Sequence, residues 1–233
     1  MFYIFGFCEV FMNSYAIDET SLSKLYKAAA SMGTEETQDR NEMVLSVFVH
    51  TGANLEEALN LTATEVLNAL KAADHGQMVM IPFPRSQMRK IRHDARTTGK
   101  RSVPVPQSTV IRWARYIHTT RLSCIKGMHA DDHGFLLIST KTGKQLTAGS
   151  LAAILRELSI AAGLEKPINT QMLRSRFMLN TCAAIKLSHG SDATMAQSHA
   201  FAEALQWMTG YTSISTLEHY LTLIGDDRCP PSD

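Results

Sequence analysis

Residues 208–221 read "MTGYTSISTLEHYL". The stretch is short and nearly uncharged, and it closes a helical-looking pattern on a tyrosine, Tyr220. Such a tyrosine is either another aromatic at helical spacing in a core or a nucleophile held at the end of a helix. Nothing inside these fourteen residues decides between the two, so the decision comes from what stands around them.

The chain of 233 residues has room for a hydrophobic core, with 45% apolar and 19% charged residues and little Pro or Gly. That composition is ordinary for a globular protein. A formal charge of +1 gives no global field that would announce a nucleic-acid partner, so any such reading rests on local clustering. Cys8, Cys124, Cys182 and Cys229 lie far apart with no paired spacing. This argues against a zinc site or a disulfide framework and suits a reducing cytoplasm. The opening "MFYIFGFCEVFM" is apolar but carries Glu9, lacks a basic leader and is too short to span a bilayer. We expect a soluble cytoplasmic protein with no membrane partner, divided into an apolar N-terminal extension (1–16), one main domain (17–225) and a tail (226–233).

Working along the chain, Asp18 is placed to cap a helix through "SLSKLYKAAASMG", with Leu22, Leu25, Tyr26 and Ala29 on one face and Gly33 at its end. A polar loop, "TEETQDRN", leads into "EMVLSVFVHTG", a buried helix stopping at Gly52. "NLEEALNL" reads as a short helix. Thr62 and Glu65 have capping-box spacing ahead of "TATEVLNALKAAD". "QMVMIPFP" and "SVPVP" are candidate strands, with Pro104 and Pro106 limiting the second to an edge. A helix across "STVIRWARYIHTT" precedes a third candidate strand, "GFLLIST", which turns at "KTGK". Thr147 should cap a helix with Leu151, Ile154, Leu155 and Leu158 on one face and Gly163 at its end. Helices are then expected over 170–187, 200–208 and 213–223. The class is α+β, mainly helical around a small antiparallel sheet.

Four segments in order resemble the catalytic domain of tyrosine recombinases, the phage-integrase family. "VFVHTGANLEEALNL" is similar to that family's "YTGLR-SE-L-L" junction, and "TTGKRSVPVP" resembles its β-hairpin ending in "K-R-VP". "GKQLTAGSLAAILRELSIAAGLEKPINTQMLRSRF" is similar to its "G-L…GL…H-LRH-F" region, and "WMTGYTSISTLEHYL" to its "LGHSSISTT--Y" ending. The resemblance extends over roughly Ile17 to Leu223. The family's N-terminal core-binding domain finds no room ahead of them, so the resemblance implies a catalytic domain standing almost alone.

What the resemblance implies for chemistry is specific. Tyr220 takes the position of the nucleophile that attacks a DNA phosphodiester and leaves a 3′-phosphotyrosyl link. A free phenol titrates near pH 10 and needs activation by its site. Arg174, in "QMLRSRF", takes the position of the second of two arginines, whose charged forks hold the phosphate's non-bridging oxygens as negative charge develops. A hairpin lysine serves as general acid to the leaving oxygen. Counting back from Val103-Pro104 puts that lysine near Arg96 or Thr97. A hairpin shorter by one residue gives the role to Lys100, and a solvated surface lysine is the alternative. The reaction uses no metal or other cofactor, and the partner is double-stranded DNA, with other recombinase subunits alongside.

The sequence also departs from the pattern. The first arginine position is Asn54, the residue three before the second arginine is Gln171, and the late histidine position is Tyr211. Gln171 and Tyr211 can still donate neutral hydrogen bonds, but Asn54 brings no charge. One lost donor to a developing anion costs about 3 kcal/mol, roughly 10²–10³ in rate. The implied activity is therefore weak or lost, and a non-catalytic DNA-binding subunit is the alternative. A helical protein-interaction domain that binds no DNA is a third reading.

Between the two strands, Arg85, Arg89, Lys90, Arg92, Arg96, Lys100 and Arg101 face one acid, Asp94. A charge run is ordinarily a solvated loop. On the resemblance, this one lies where relatives touch DNA and would supply sequence-independent affinity by counterion release. The nine histidines show no metal spacing, and His129 and His133 in "HADDH" read as surface. Met78, Met80, Met88, Met172, Met178 and Met208 read as core filler.

Overall fold

The computed structural model describes residues 16–73, 77–83 and 101–189, the last five by backbone alone. The expected helices over 200–208 and 213–223 lie outside these residues. So do Tyr211, Tyr220, Lys100, Arg85, Arg89, Lys90, Arg92, Arg96, Met88 and Met208.

Helix α1 (Glu19–Ala29) starts where Asp18 accepts the Ser21 amide at 2.7 Å and buries Leu22, Leu25, Ala28 and Ala29. Helix α2 (Glu35–Thr51) begins inside the polar stretch expected to be a loop. Thr34 is extended at the N-cap position, and Glu35 and Glu36 occupy the first turn, where the helix dipole favours acids. The apolar pattern only starts at Met43, so it marks where the helix enters the core rather than where it begins.

Gly52 ends α2 in the left-handed region (φ 56°), and its amide bonds the Phe48 carbonyl at 2.9 Å. A Cβ there would sit 2.2 Å from the Phe177 ring, so the missing side chain also lets Phe177 lie against the end of α2. Two capping boxes follow at once: Asn54 with Glu57 opens α3 (Leu55–Asn60), and Thr62 with Glu65 opens α4 (Ala63–Ala72).

Strands β1 (Met78–Phe83) and β2 (Arg101–Pro106) pair antiparallel. The register sets Val79 opposite Val105, Ile81 opposite Val103, and Phe83 opposite Arg101. All six are buried, because alternate residues share one face. Pro82, Pro104 and Pro106 fall on the other alternation, and each strand of a two-stranded sheet is an edge, where proline is tolerated. Met78 and Met80 are on the outer face too, about half exposed, so period two overrides the reading of them as core filler. Met178 is fully buried and Met172 half-buried, as that reading expects.

Helix α5 (Gln107–Tyr116) runs through a π turn at Ile117–Arg121 into α6 (Leu122–Gly127), longer than the sequence suggested. Trp113 is buried and donates to Ser46 Oγ at 2.8 Å, joining α5 to α2. "GFLLIST" is not a strand. Its bonds go to two different places, Leu136 to the Leu61 carbonyl and Leu146 back to the Leu137 carbonyl, which leaves isolated bridges instead of a ladder. Leu136, Leu137 and Ile138 are buried in succession, without the alternation of a one-sided strand. The "HADDH" loop after α6 is pinned by Asp132, which accepts from the buried Arg121 guanidinium and the Gly134 amide.

Helix α7 (Ala148–Ala161) is capped by Thr147 and buries Leu151, Ile154, Leu155 and Leu158 as expected. Ser159 accepts the Ile168 amide at 2.9 Å and so fixes the approach to α8 (Thr170–His189). Asn169 accepts the Met172 amide at 3.0 Å at the start of that helix. Leu173, Phe177, Met178 and Cys182 face the core, and α8 packs along α2. Among the described residues no helix is long and apolar enough to cross a membrane, and no group of His, Cys, Asp or Glu could hold a metal ion.

Candidate phosphate site around Glu57

The end of α2, the cap of α3, the start of β2 and the first turns of α8 meet at one carboxylate. Glu57 is the third residue of α3 and is 7% exposed. Its Oε2 accepts the Asn54 amide at 2.8 Å, completing the capping box whose other half is the Glu57 amide donating to Asn54 Oδ1 at 2.9 Å. That box fixes the rotamer of Glu57 before any cation is considered.

Arg101 comes to the same carboxylate from the hairpin. Register turns it inward with Val103 and Val105, and its guanidinium lies 4.6 Å from the centroid of the Phe83 ring directly across the ladder. Beyond that ring it forms a fork on Glu57, Nε to Oε1 and Nη2 to Oε2, both at 2.8 Å. Nη1 reaches the Thr51 carbonyl at 3.5 Å. Arg101 is 6% exposed. It is therefore a buried strand residue, and not a member of an exposed basic loop as its place in the Arg85–Arg101 run suggested.

Arg174, one turn into α8, brings the second guanidinium. It is buried, with Nη1 4.0 Å from Glu57 Oε2. Gly52 is what allows this approach, since Phe177 lies one turn further along α8 and against Gly52 itself. Two arginines far apart in sequence thus converge on one oriented carboxylate, Arg101 at bonding distance and Arg174 just outside it.

The remaining expected site residues divide clearly. Asn54 is beside the cluster, and its side-chain oxygen serves as the cap of α3. Gln171 is exposed on the first turn of α8, one turn before Arg174. Glu57 falls on the acid of the "YTGLR-SE-L-L" junction but was given no role there, and the inward position of Arg101 came from no motif. Two signals were present: the Asn54-x-x-Glu57 spacing of a capping box, and the alternation Arg101, Val103, Val105. Nearby, His50 in the last turn of α2 is held below its ordinary value of 6.5, first by burial and then by Arg112. It is neutral at neutral pH.

This frame can be compared with known proteins. Neither a family model nor a curated protein matches the sequence. Solved structures do match the fold. XerA recombinase superposes with a TM-score of 0.58 at 19% identity, covering 88% of this chain and 59% of XerA. The fold is that of a tyrosine recombinase catalytic domain. XerH site-specific recombinase, bound to its difH substrate in a pre-cleavage complex, gives 0.56 at 17% identity, over 88% of this chain and 49% of XerH. The Tn1549 transposon integrase with circular-intermediate DNA gives 0.55 at 15% identity, over 88% of this chain and 60% of the integrase. The chain thus spans about half to three-fifths of the length of these recombinases.

Proposed function

We propose that this chain is a DNA-binding member of the tyrosine recombinase family, acting in site-specific recombination or integration of a mobile element, with weak strand transfer through Tyr220. The observation that carries the reading is the convergence of Arg174 and Arg101 on Glu57 within a recombinase fold. Arg174 is the arginine that the sequence resemblance assigned to a phosphate, and its buried guanidinium is suited to non-bridging oxygens. The neighbours XerH and Tn1549 integrase, both solved with DNA, support duplex DNA as the partner. On this reading, Lys100 or a basic neighbour protonates the leaving oxygen, Gln171 and Tyr211 add neutral donors, and no metal takes part. Arg85, Arg89, Lys90, Arg92 and Arg96 hold the DNA backbone, and further recombinase subunits complete the assembly.

The test begins by selecting bound duplexes from a random-sequence pool. Each selected duplex is then nicked, so that the short leaving fragment diffuses away and religation stops. A slow, detergent-resistant adduct that disappears in Tyr220→Phe and Arg174→Ala is the expected result. Affinity should fall steeply with salt, with a shallower slope after neutralising Arg89 and Arg92. Failure to enrich any duplex overturns the reading.

One observation favours a second reading, a DNA-binding subunit without catalysis. Asn54 holds the first arginine position and is engaged as a helix cap. In that case duplexes are enriched and no adduct forms.

A further inference from the structure

We propose that the outer face of the β1–β2 hairpin is a docking surface for the apolar N-terminal stretch of the same chain, residues 2–8, "FYIFGFC". The inference goes beyond the recombinase reading above and does not depend on it.

The sheet is apolar on both sides. When one face of an antiparallel sheet packs on the core, the alternate residues are ordinarily polar and face water. Here the outward pairs are Met78 with Pro106, Met80 with Pro104 and Pro82 with Ser102. Of these six, only Ser102 has a polar side chain. Met78 and Met80 are about half exposed, while Val79 and Ile81 between and beside them are fully buried. The prolines are accounted for, since each strand is an edge. The methionines are not, because a solvated face takes Thr, Lys or Glu at 78 and 80 equally well. Unbranched thioether side chains that adapt to what packs on them suit a contact surface.

Size decides what kind of occupant fits. Strands of six residues are about 20 Å long and a pair of them about 10 Å wide, so the face offers roughly 200 Å². A free partner, a second copy included, forms a stable interface only when each side buries about 800 Å². A segment tethered to the same domain needs far less, because a short tether holds it at an effective concentration of about millimolar. The occupant is therefore a stretch of this chain, and composition selects which. Six of the seven residues 2–8 are apolar and none is charged. No seven residues within 84–100 or after 189 are as apolar. Residues 84–100, which lead directly into the sheet, carry seven charged side chains.

The chain also enters the domain within reach of the face. Glu19, at the start of α1, pairs with Arg176 on α8, and the same helix meets the first residue of β2 through Arg174, Glu57 and Arg101. Helix α8 thus adjoins both the entry of the chain and one end of the sheet. A helix is about 10–12 Å across. The connecting residues 9–18 span up to about 33 Å when extended, and seven residues span about 23 Å, close to the length of the face.

The test uses the full chain with the photo-reactive residue p-benzoylphenylalanine at position 80. Illumination and peptide mass mapping should give cross-links to residues 2–8 within one chain, in a yield that dilution does not change. If position 80 does not tolerate the probe, position 78 takes it. The same probe at Leu122, an exposed position on α6, should give several-fold less of this product. In a second measurement, chymotrypsin cleavage after Phe2, Tyr3, Phe5 and Phe7 should be several-fold faster in Met78→Asp/Met80→Asp than in the wild type, because a charged face releases the segment. Four results each overturn the proposal and leave the recombinase reading untouched: cross-links between two chains, no cross-link from the hairpin face to residues 2–8, equal capture from position 122, or equal cleavage in the two proteins.

Discussion

Removing the carboxylate at position 57 is the most direct probe of the cluster. Glu57→Ala takes away both bonds of the Arg101 fork, the counter-charge of Arg174 and one half of the α3 capping box. Each charge-assisted bond is worth about 1.5–3 kcal/mol and a cap about 1 kcal/mol. These terms overlap, since one carboxylate makes them all, and breaking a buried pair from one side typically costs about 3–5 kcal/mol. For a domain of this size each kcal/mol lowers the melting temperature by about 2–4 °C, so the midpoint should fall by roughly 6–20 °C. The assay is thermal unfolding followed by circular dichroism, with urea titration as an independent measure. Glu57→Gln keeps shape and hydrogen-bond acceptance but not charge, and should lose less. Glu57→Leu combined with Arg101→Met should recover most of the loss, because no uncompensated charge remains at the fork. A Glu57→Ala loss below about 1 kcal/mol, the range of a surface pair, would refute the picture of a buried carboxylate orienting two arginines.

Three further outcomes follow from other parts of the structure. Gly52→Ala should destabilise by about 2–5 kcal/mol, from the left-handed backbone and the overlap with Phe177, and Phe177→Ala should relieve only the second part in a double-mutant cycle by urea unfolding. Tyr116→Phe should raise stability by about 1 kcal/mol, because the buried Tyr116 hydroxyl finds no hydrogen-bond partner among the described residues. Burial and Arg112 hold the His50 pKa below 6.5 in the folded state, so its contribution is present above the unfolded value and lost as pH falls below it. Unfolding free energy measured from pH 7 to pH 5 should therefore fall less steeply in His50→Gln than in the wild type.

Much of the frame was legible where one local rule decided the outcome. Asp18, Thr62 and Thr147 are caps because their side-chain oxygens bond amides three residues on. Gly52 ends a helix because it alone tolerates φ 56° at that point. The two paired strands read correctly from short apolar runs and their prolines. Legibility failed where hydrogen-bond partners lie far away in sequence. Leu136 and Leu137 look like a strand until their bonds are traced to Leu61 and Leu146, neither of which continues as a ladder. The polar start of α2 carried no apolar pattern, because its first two turns precede the core.

Arg101 shows why the site was harder to read than the fold. Net charge along a segment says nothing about which way a side chain points, and six of the seven basic residues from Arg85 to Arg101 precede β2 and lie outside the described residues. Position 101 opens β2, opposite Phe83. From there the pleat decides, and it sends an arginine to the same side as two valines. Burying that charge is tolerable only if an acid waits for it, and the acid is 44 residues earlier, on a helix whose capping box had already fixed its direction. The basic run and the capped helix thus constrain each other: an inward arginine at 101 requires Glu57, and a buried Glu57 requires a cation. The same reciprocity makes Asn54 tolerable at the first arginine position. A cation arriving from the hairpin satisfies Glu57 without one at 54, and position 54 is then available to cap the helix.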